Sequence, residues 1–160
     1  MKKYIRCHLV EATPMTRGAY NKKRGWTVPK DENPKDRGYI VKYPDGYVSW
    51  CPKAQFEAAG RPIDGMTFGM AIEAMKQGEK VARAGWNGKG MWLCIPLVEG
   101  PKEIPATGIW GKPNAEYAEQ NGGTVKVMPY ITMKSADGSI VMGWLASQTD
   151  MLADDWVIVE

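Results

Sequence analysis

Residues 85–92 of the chain read GWNGKGMW, a glycine turn bordered by two large indole rings. Glycine lets a backbone turn tightly and lets a ligand approach it closely, but a turn by itself does not need tryptophan. The flat faces of Trp86 and Trp92 could stack on bases, at about 1–3 kcal/mol each. Lys89 and the preceding Arg83 could meet phosphates, and Asn87 could hydrogen-bond a base or a ribose. The spacing therefore favours binding of a flat, phosphorylated ligand.

A second stretch, WLASQTDMLADDW over residues 144–156, repeats this combination of tryptophans and small polar side chains. Ser147 or Thr149 is placed to cap a short helix, and a helix start exposes backbone N–H groups that attract anions. Asp150 could accept a hydrogen bond from a base amino group or from ribose hydroxyls. Each tryptophan also suits the core, because a large indole is an efficient core filler. The candidate binding residues here are Trp144, Ser147, Gln148, Thr149, Asp150 and Trp156.

Residues that enzymes use for catalysis are few and scattered. His8 is the only histidine and has no triad-like partner, and neither a GxxxxGK loop nor a GxGxxG fingerprint is present. The three cysteines are too far apart to predict a zinc site or a disulfide framework, and we expect no cofactor. Asp150, Asp154 and Asp155 are the one acidic cluster. Positions 150 and 154 share a helical face, so a metal-dependent enzyme acting on a nucleotide remains an alternative.

Charge divides the chain into two modules. Residues 1–60 hold 12 Lys and Arg against 6 Asp and Glu, giving +6, whereas residues 61–160 hold 9 against 12, giving −3. We therefore predict a basic module over 1–60, a linker over 61–65 and a second module over 66–160. The basic module makes a structural or nucleic-acid-binding role a further alternative. Without a signal peptide or a long apolar run, the expected location is cytoplasmic.

The first module reads as a small β-rich unit. Residues 4–12 are strand-like, residues 14–26 read as loop or a short helix, and residues 29–36 read as loop. GYIVKY and YVSW around Pro44-Asp45-Gly46 predict a β-hairpin. A proline then opens a predicted helix over residues 52–59.

The second module opens with a predicted helix over residues 67–78, capped by Thr67 and ended by Gly78. Phe68, Ala71, Ile72 and Met75 fall on one face of it. The order of elements predicts an α+β fold, a small antiparallel sheet packed with short helices, preceded by the β-rich module. The remaining predictions are strands over 79–86 and 91–98, a long loop over 99–123, a hairpin of 124–134 with 139–145, a helix over 146–155 and a strand over 156–160.

Two long segments carry a family resemblance. TFGMAIEAMKQGEKVARAGWNGKGMWL and PYITMKSADGSIVMGWLASQTDMLADDWVIVE resemble the Thoeris anti-defence family of the second type, known from phages and prophages. The resemblance covers about residues 66–160 and implies a non-enzymatic protein that sequesters signalling nucleotides. The implied ligands are cyclic ADP-ribose isomers, and cyclic dinucleotides of the CBASS pathway for some members. It also implies homo-oligomers, typically tetramers, with ligands at subunit interfaces, acting in the host cytoplasm during infection.

Matched motif by motif, the resemblance assigns ligand binding to Trp86, Asn87, Lys89, Met91 and Trp92, and to Ser147, Gln148, Thr149, Asp150 and Trp156, with Arg83 close by. The two indoles of the glycine turn would form walls for a flat purine, with Lys89 near the phosphates. Residues 1–65 lie outside the resemblance, and their role is left open. A phage structural or nucleic-acid-binding protein using the basic region is the alternative function.

Overall fold

The computed structural model describes Lys2 and residues 7–160. The chain divides into two compact units, Met1–Pro62 and Ile63–Glu160, and each combines short helices with antiparallel sheet. The predicted α+β class is confirmed, including the small β-rich module before the main sheet. Within the described part, no helix is both long enough and apolar enough to cross a membrane.

The first unit is a three-stranded antiparallel sheet with a helix after each outer strand. The β-hairpin and the second helix confirm their predictions. In the hairpin turn Gly46 has a φ of +83°, and its N–H donates to the Tyr43 carbonyl at 2.9 Å. The elements are β1 (Glu11–Thr16), α1 (Arg17–Arg24), β2 (Arg37–Lys42), β3 (Val48–Pro52) and α2 (Lys53–Ala59), in strand order β1-β2-β3.

The start of this unit differs from its prediction. Tyr4–Arg6 of the predicted strand 4–12 lie outside the described residues, and among the described ones the strand begins only at Glu11. It continues through Pro14, which an edge strand tolerates because its outer side carries no ladder bonds. The segment 14–26 contains α1, which begins after the N-cap Thr16.

An ion pair holds the loop between α1 and β2 to helix α1. The Glu32 carboxylate pairs with the Arg17 guanidinium, whose Nε donates at 2.7 Å, and it accepts from Asn21 Nδ2 at 3.0 Å. The Arg17 guanidinium also lies 5.1 Å from the Trp50 ring centroid. Hydrogen bonds from Arg17 and Asn21 lower the pKa of Glu32 to about 2.

The second unit holds a five-stranded antiparallel sheet and a separate two-stranded ribbon. The sheet has the strand order β10-β4-β5-β8-β9, and β6 pairs with β7 in the ribbon. The elements are α3 (Phe68–Lys76), β4 (Lys80–Arg83), β5 (Trp92–Cys94), β6 (Lys102–Pro105), α4 (Lys112–Gln120), β7 (Thr124–Val127), β8 (Thr132–Lys134), β9 (Ile140–Met142), α5 (Gln148–Met151) and β10 (Trp156–Val159).

Helix α3 supports one face of the sheet, as its apolar spacing predicts. Thr67 Oγ1 accepts from the Met70 N–H at 3.3 Å, and the chain leaves the helix through Gly78 at a φ of +91°. The helix packs against β4 and β10. The buried core of this unit comprises Met66, Ala71, Ala74, Met75, Val81, Leu93 and Trp156.

The predicted loop over residues 99–123 is wrong, because this segment contains β6 and α4. Its glycines lie at the ends of elements: Gly111 precedes α4 with a φ of +86°, and Gly122 and Gly123 follow it with positive φ. The predicted strand 124–134 is also wrong. It is two strands, β7 and β8, in different sheets, and Pro129 in the gap has no N–H to donate to a ladder.

We expect Glu32→Gln to reduce the acid sensitivity of the first unit. The fold lowers the Glu32 pKa from 4.5 to about 2, so its ionised form stabilises the fold above pH 4.5, and this contribution is lost as pH falls towards 2. Urea unfolding of the glutamine variant should therefore change less over this pH range than that of the wild type. Glu11→Gln, an exposed carboxylate paired with Lys42, is the control, with wild-type behaviour expected. Identical pH dependence in Glu32→Gln and wild type would show that the ionised Glu32 carboxylate does not stabilise the fold.

Candidate functional site

Four aromatic rings from separate segments of the second unit meet at the start of the edge strand β10. Trp156 is fully buried, and its ring centroid lies 5.2 Å from Phe68, 5.6 Å from Trp86 and 6.3 Å from Trp144. The rings of Trp86 and Trp144 meet Trp156 edge to face, at 75° and 80°, an arrangement that aromatic pairs favour. Trp156 Nε1 donates to the Asp150 carbonyl at 2.9 Å. Trp156 is thus the centre of this aromatic cluster, and the other three rings are half-buried around it.

The carboxylate of Asp150 lies against this aromatic cluster and accepts four hydrogen bonds. Its Oδ1 accepts from Arg83 Nη1 at 3.1 Å and, through a long bond of 3.4 Å, from Trp86 Nε1. Its Oδ2 accepts from the backbone N–H of Ser147 at 3.1 Å and from the Ser147 hydroxyl at 2.6 Å. One side chain therefore joins the start of α5 to Trp86 and to the end of β4.

Arg83 extends this connection to the start of β10. Its Nε donates to Asp155 Oδ1 at 2.8 Å, and its Nη1 also donates to the Thr149 carbonyl at 3.2 Å. The other oxygen of Asp155 accepts from the Gly85 N–H at 2.9 Å. We call Arg83, Asp150 and Asp155 the charge cluster. It connects the end of β4 with α5 and the start of β10, which lie 67 and 72 positions further along the chain.

All three members of the charge cluster are held in their ionised forms. The hydrogen bond from Arg83 lowers the pKa of Asp155. Burial raises the pKa of Asp150, but hydrogen bonds from Ser147, Arg83 and Trp86 outweigh it, and the pKa lies below its usual value. The hydrogen bond to Asp155 raises the pKa of Arg83. One positive and two negative charges leave this end of the site with a net charge of −1.

The glycine turn presents two polar side chains beside the aromatic cluster. Asn87 and Lys89, which follow Trp86, are both exposed. The Met91 side chain packs directly on Gly88, because a Cβ added there would lie 2.0 Å from the Met91 sulfur. Met91 is half-buried against the turn, so its role here is to pack beneath Gly88.

Lys134 is a second cation at this turn, and sequence reasoning missed it. Its Nζ lies 3.4 Å from the position that a Cβ would take on Gly90. Ala136, in the turn between β8 and β9, packs on Gly88, with its Cβ 3.0 Å from the position that a Cβ would take there. Only the pairing of β5 with β8 brings these residues to the turn, and no local motif signals it.

The two tryptophans of GWNGKGMW do not form the walls of one pocket within this chain. Trp92 precedes Leu93, which is fully buried in the core beneath α3. Successive residues of a strand point to opposite faces, so Trp92 lies on the other face of the sheet from Trp86 and its aromatic cluster. There the Lys80 ammonium lies 6.0 Å from the Trp92 ring centroid.

Helix α5 is a single turn, shorter than the predicted helix over 146–155. Ser147, and not Thr149, caps it, since the Ser147 hydroxyl accepts from the Asp150 N–H at 3.2 Å. The Asp150 carboxylate accepts in return from the Ser147 N–H, completing a capping box. The predicted anion site at this helix start therefore faces a carboxylate of the protein itself. Gln148 and Thr149 expose their side chains.

The shared helical face predicted for Asp150 and Asp154 is wrong. Helix α5 ends at Met151, so Asp154 lies outside it. Among residues 2 and 7–160, no group of three or more His, Cys, Asp and Glu side chains is placed to hold a metal ion.

The structure brings most of the predicted residues together, but in different roles. Asp155 and Phe68 join the site although the sequence indicated them only as part of an acidic cluster and of an apolar helix face. Asp155 reaches Arg83 only through the pairing of β10 with β4. The residues in one continuous group are Arg83, Trp86, Trp144, Ser147, Thr149, Asp150 and Trp156; those of the adjoining turn are Asn87, Lys89 and Met91; Gln148 is exposed on α5, and Trp92 is on the opposite face.

We expect Gly85→Ala to destabilise the second unit. An added Cβ would lie 2.8 Å from Asp155 Oδ2, which must then move away from the Gly85 N–H or from Arg83. Overpacking of this kind costs roughly 1–3 kcal/mol, measurable as a lower midpoint of urea unfolding. Gly65→Ala is the matched control, because a Cβ there meets nothing within 4 Å. Equal stability of the two variants would show that the contact around Asp155 is loose.

The part of the chain that is similar to known proteins contains the whole site. A model of the Thoeris anti-defense 2-like domain matches residues 66–159. The chain is also similar to Thoeris anti-defense 2 of Bacillus phage SP01, with 40% identity over 95 residues, which make up 59% of this chain and 94% of that protein. The aromatic cluster, the charge cluster and the glycine turn all lie within the matched residues. This chain therefore belongs to the Thoeris anti-defense 2-like family.

Proposed function

We propose that this protein binds the cyclic nucleotide signal of Thoeris defence, a cyclic ADP-ribose isomer, and sequesters it without cleaving it. The observation that carries the proposal is the half-buried Trp86 ring, held by neighbouring rings beside a turn that exposes Asn87 and Lys89. An indole face suits a purine, the Asn87 amide suits a base edge or a ribose, and the Lys89 ammonium suits a pyrophosphate. Membership of an anti-defense family supports this choice of ligand.

The affinity that sequestration needs is within reach of such a site. Sub-micromolar binding corresponds to more than about 8 kcal/mol. A stacked base contributes about 1–3 kcal/mol, and charge-assisted hydrogen bonds to phosphate contribute more than neutral ones. Lys89 and Lys134 provide two cations at the same turn. The ligand would therefore lie with its base against Trp86 and its phosphates towards these two lysines.

The carboxylates of the site support binding without cleavage. A general acid at neutral pH needs a raised pKa, but the pKa values of Asp150 and Asp155 are both lowered. Each carboxylate is already paired with Arg83. Both groups are thus arranged to stay ionised and in place, which suits a structural role better than proton transfer.

Exposed apolar side chains near α5 support assembly with further copies of this chain. Leu145 is 90% exposed and Leu152 is 81% exposed, and the two flank α5 in sequence. Strand β9, at the edge of the main sheet, adds Ile140, Val141 and Met142, which are also exposed. Clustered apolar surface of this kind marks interaction sites. We propose a homo-oligomer, a tetramer as the resemblance implies, that buries these side chains in the host cytoplasm.

The basic first unit does not support a second function equally well. Lys22, Lys23 and Arg24 occupy the last turn of α1, where cations stabilise the helix carbonyls. Their position is therefore explained without a nucleic-acid partner, and we advance only the nucleotide-binding function.

Calorimetric titration with a panel of cyclic ADP-ribose isomers tests the proposal, with cyclic dinucleotides as a second panel. We expect sub-micromolar binding of at least one isomer, because stacking and phosphate pairing act together. The bound ligand, released by heat and analysed by chromatography, should be intact. A hydrolysed product would identify an enzyme instead, and the absence of binding across both panels would reject the proposed function.

The same titration with the Lys89→Ala variant tests the contribution of the glycine turn. The variant should bind the same isomer about 10- to 150-fold more weakly, as expected for the loss of one charge-assisted hydrogen bond of about 1.5–3 kcal/mol. Lys76→Ala, an exposed lysine of α3 paired with Glu73, is the matched control, and its affinity should equal that of the wild type. Equal losses in both variants would point to a general charge effect.

Sedimentation equilibrium tests the homo-oligomer. We expect the wild type to sediment as a tetramer and the double variant Leu145→Glu with Leu152→Glu to sediment as a smaller species, because buried carboxylates oppose association. Val28→Glu, at a 37% exposed valine of the first unit, is the control and should leave the mass unchanged. A monomeric wild type would contradict the proposed assembly.

A further inference from the structure

We infer that Arg83 and Asp155 are positioning residues of the ligand site, which act on the ligand through Asp150 and the indole of Trp86 rather than by contact. The inference rests on the proposed function, since it concerns the same site. It changes the role expected for two side chains, because Arg83 was predicted to meet phosphates and Asp150 to accept from a base or ribose. It also gives a role to Asp155, which the sequence singled out only as a member of an acidic cluster.

The first step is that Asp150 has no acceptor position left for a ligand. A carboxylate offers about four lone-pair sites, two on each oxygen. In Asp150 all four are occupied, by Arg83 Nη1, Trp86 Nε1, the Ser147 N–H and the Ser147 hydroxyl. A ligand donor would have to displace one of these donors. Asp150 therefore acts on the ligand by holding its neighbours.

The second step is that Arg83 is a poor partner for phosphate in this arrangement. Its guanidinium already donates to two carboxylates and to the Thr149 carbonyl, and its side chain is 19% exposed. The charge cluster has a net charge of −1, so a phosphate brought to it would meet overall repulsion. Lys89 and Lys134, at the glycine turn, are the cations free of this repulsion. The ligand phosphates are therefore directed away from α5.

The third step is that the charge cluster fixes the plane of Trp86. Its Nε1 points at Asp150 Oδ1, the same oxygen that Arg83 Nη1 holds in place. The bond is long at 3.4 Å, and the rings of Trp144 and Trp156, at 64° and 75° to the Trp86 ring, complete the constraint. A ring that is already oriented loses less freedom when a base stacks on it. Disturbing Arg83 or Asp155 should thus weaken binding by loosening this indole.

A double-mutant cycle between Arg83 and Trp86 distinguishes positioning from contact. The probe is the cyclic ADP-ribose isomer that binds the wild type most tightly in the calorimetric panel. We expect Arg83→Lys and Trp86→Phe each to weaken binding about tenfold. The double variant should be no more than about twofold weaker than Trp86→Phe alone, because phenylalanine lacks the N–H through which Arg83 acts. If Arg83 contacted phosphate directly, the two losses would multiply to about a hundredfold, and the inference would be overturned.

A second measurement follows the Trp86 indole directly and needs no ligand. The indole N–H signal of Trp86 in a ¹H–¹⁵N spectrum is assigned by its loss in Trp86→Phe. We expect this signal to shift in Arg83→Lys and also in Asp155→Asn, while the remaining spectrum stays dispersed and folded. Lys76→Ala, outside the charge cluster, should leave the signal in place. An unshifted Trp86 signal in both cluster variants would overturn the inference.

The two measurements separate this inference from the proposed function. If the wild type binds no isomer, the proposed function fails, and the role in ligand binding fails with it. If the wild type binds but the losses multiply, the proposed function stands and the positioning role alone is overturned.

Discussion

The second unit depends on one arrangement of charge, in which the Arg83 guanidinium lies between the carboxylates of Asp150 and Asp155. Partly desolvated charges stabilise a fold only when each is paired and hydrogen-bonded, and loss of one partner leaves the others uncompensated. Here the Gly85 N–H and Ser147 satisfy the remaining carboxylate oxygens. The end of β4, the single-turn helix α5 and the start of β10 are held together in this way, and so is the ring that we propose as the ligand platform.

The tryptophans of this unit occupy environments that range from the buried core to half-buried positions around it. Trp156 is fully buried and satisfies its N–H on a backbone carbonyl, so its contribution is to the core. Trp86 and Trp144 pack against it with their rings at 75° and 80° to its plane, and both are half-buried. Trp92 lies on the far face of the sheet, where only a second copy of the chain could bring it into the same site. Because Trp86 and Trp144 pack directly on the buried ring of Trp156, we expect their positions to be nearly as rigid as the core.

Elements whose signals are local were predictable from the sequence. The helix capped by Thr67 and the hairpin around Gly46 follow from residues within a few positions of each other, and both are present. The secondary structure of segment 99–123 was not predictable in this way. Its many prolines and glycines indicate a loop, although they lie around the ends of β6 and α4. Strand length was also beyond local reasoning, since partners in other parts of the chain decide where pairing stops.

By itself the sequence determined the class of fold, the family and most of the residues of the candidate site, because periodicity, capping and motif spacing are written in neighbouring positions. The tertiary structure alone decided which partners these residues have. Arg83 and Asp155 are 72 positions apart, and only the antiparallel pairing of β4 with β10 makes them partners. Likewise, Lys134 reaches the glycine turn through the pairing of β5 with β8. Whether a charged side chain is free for a ligand depends on which opposite charge lies beside it, and that is a property of the folded chain.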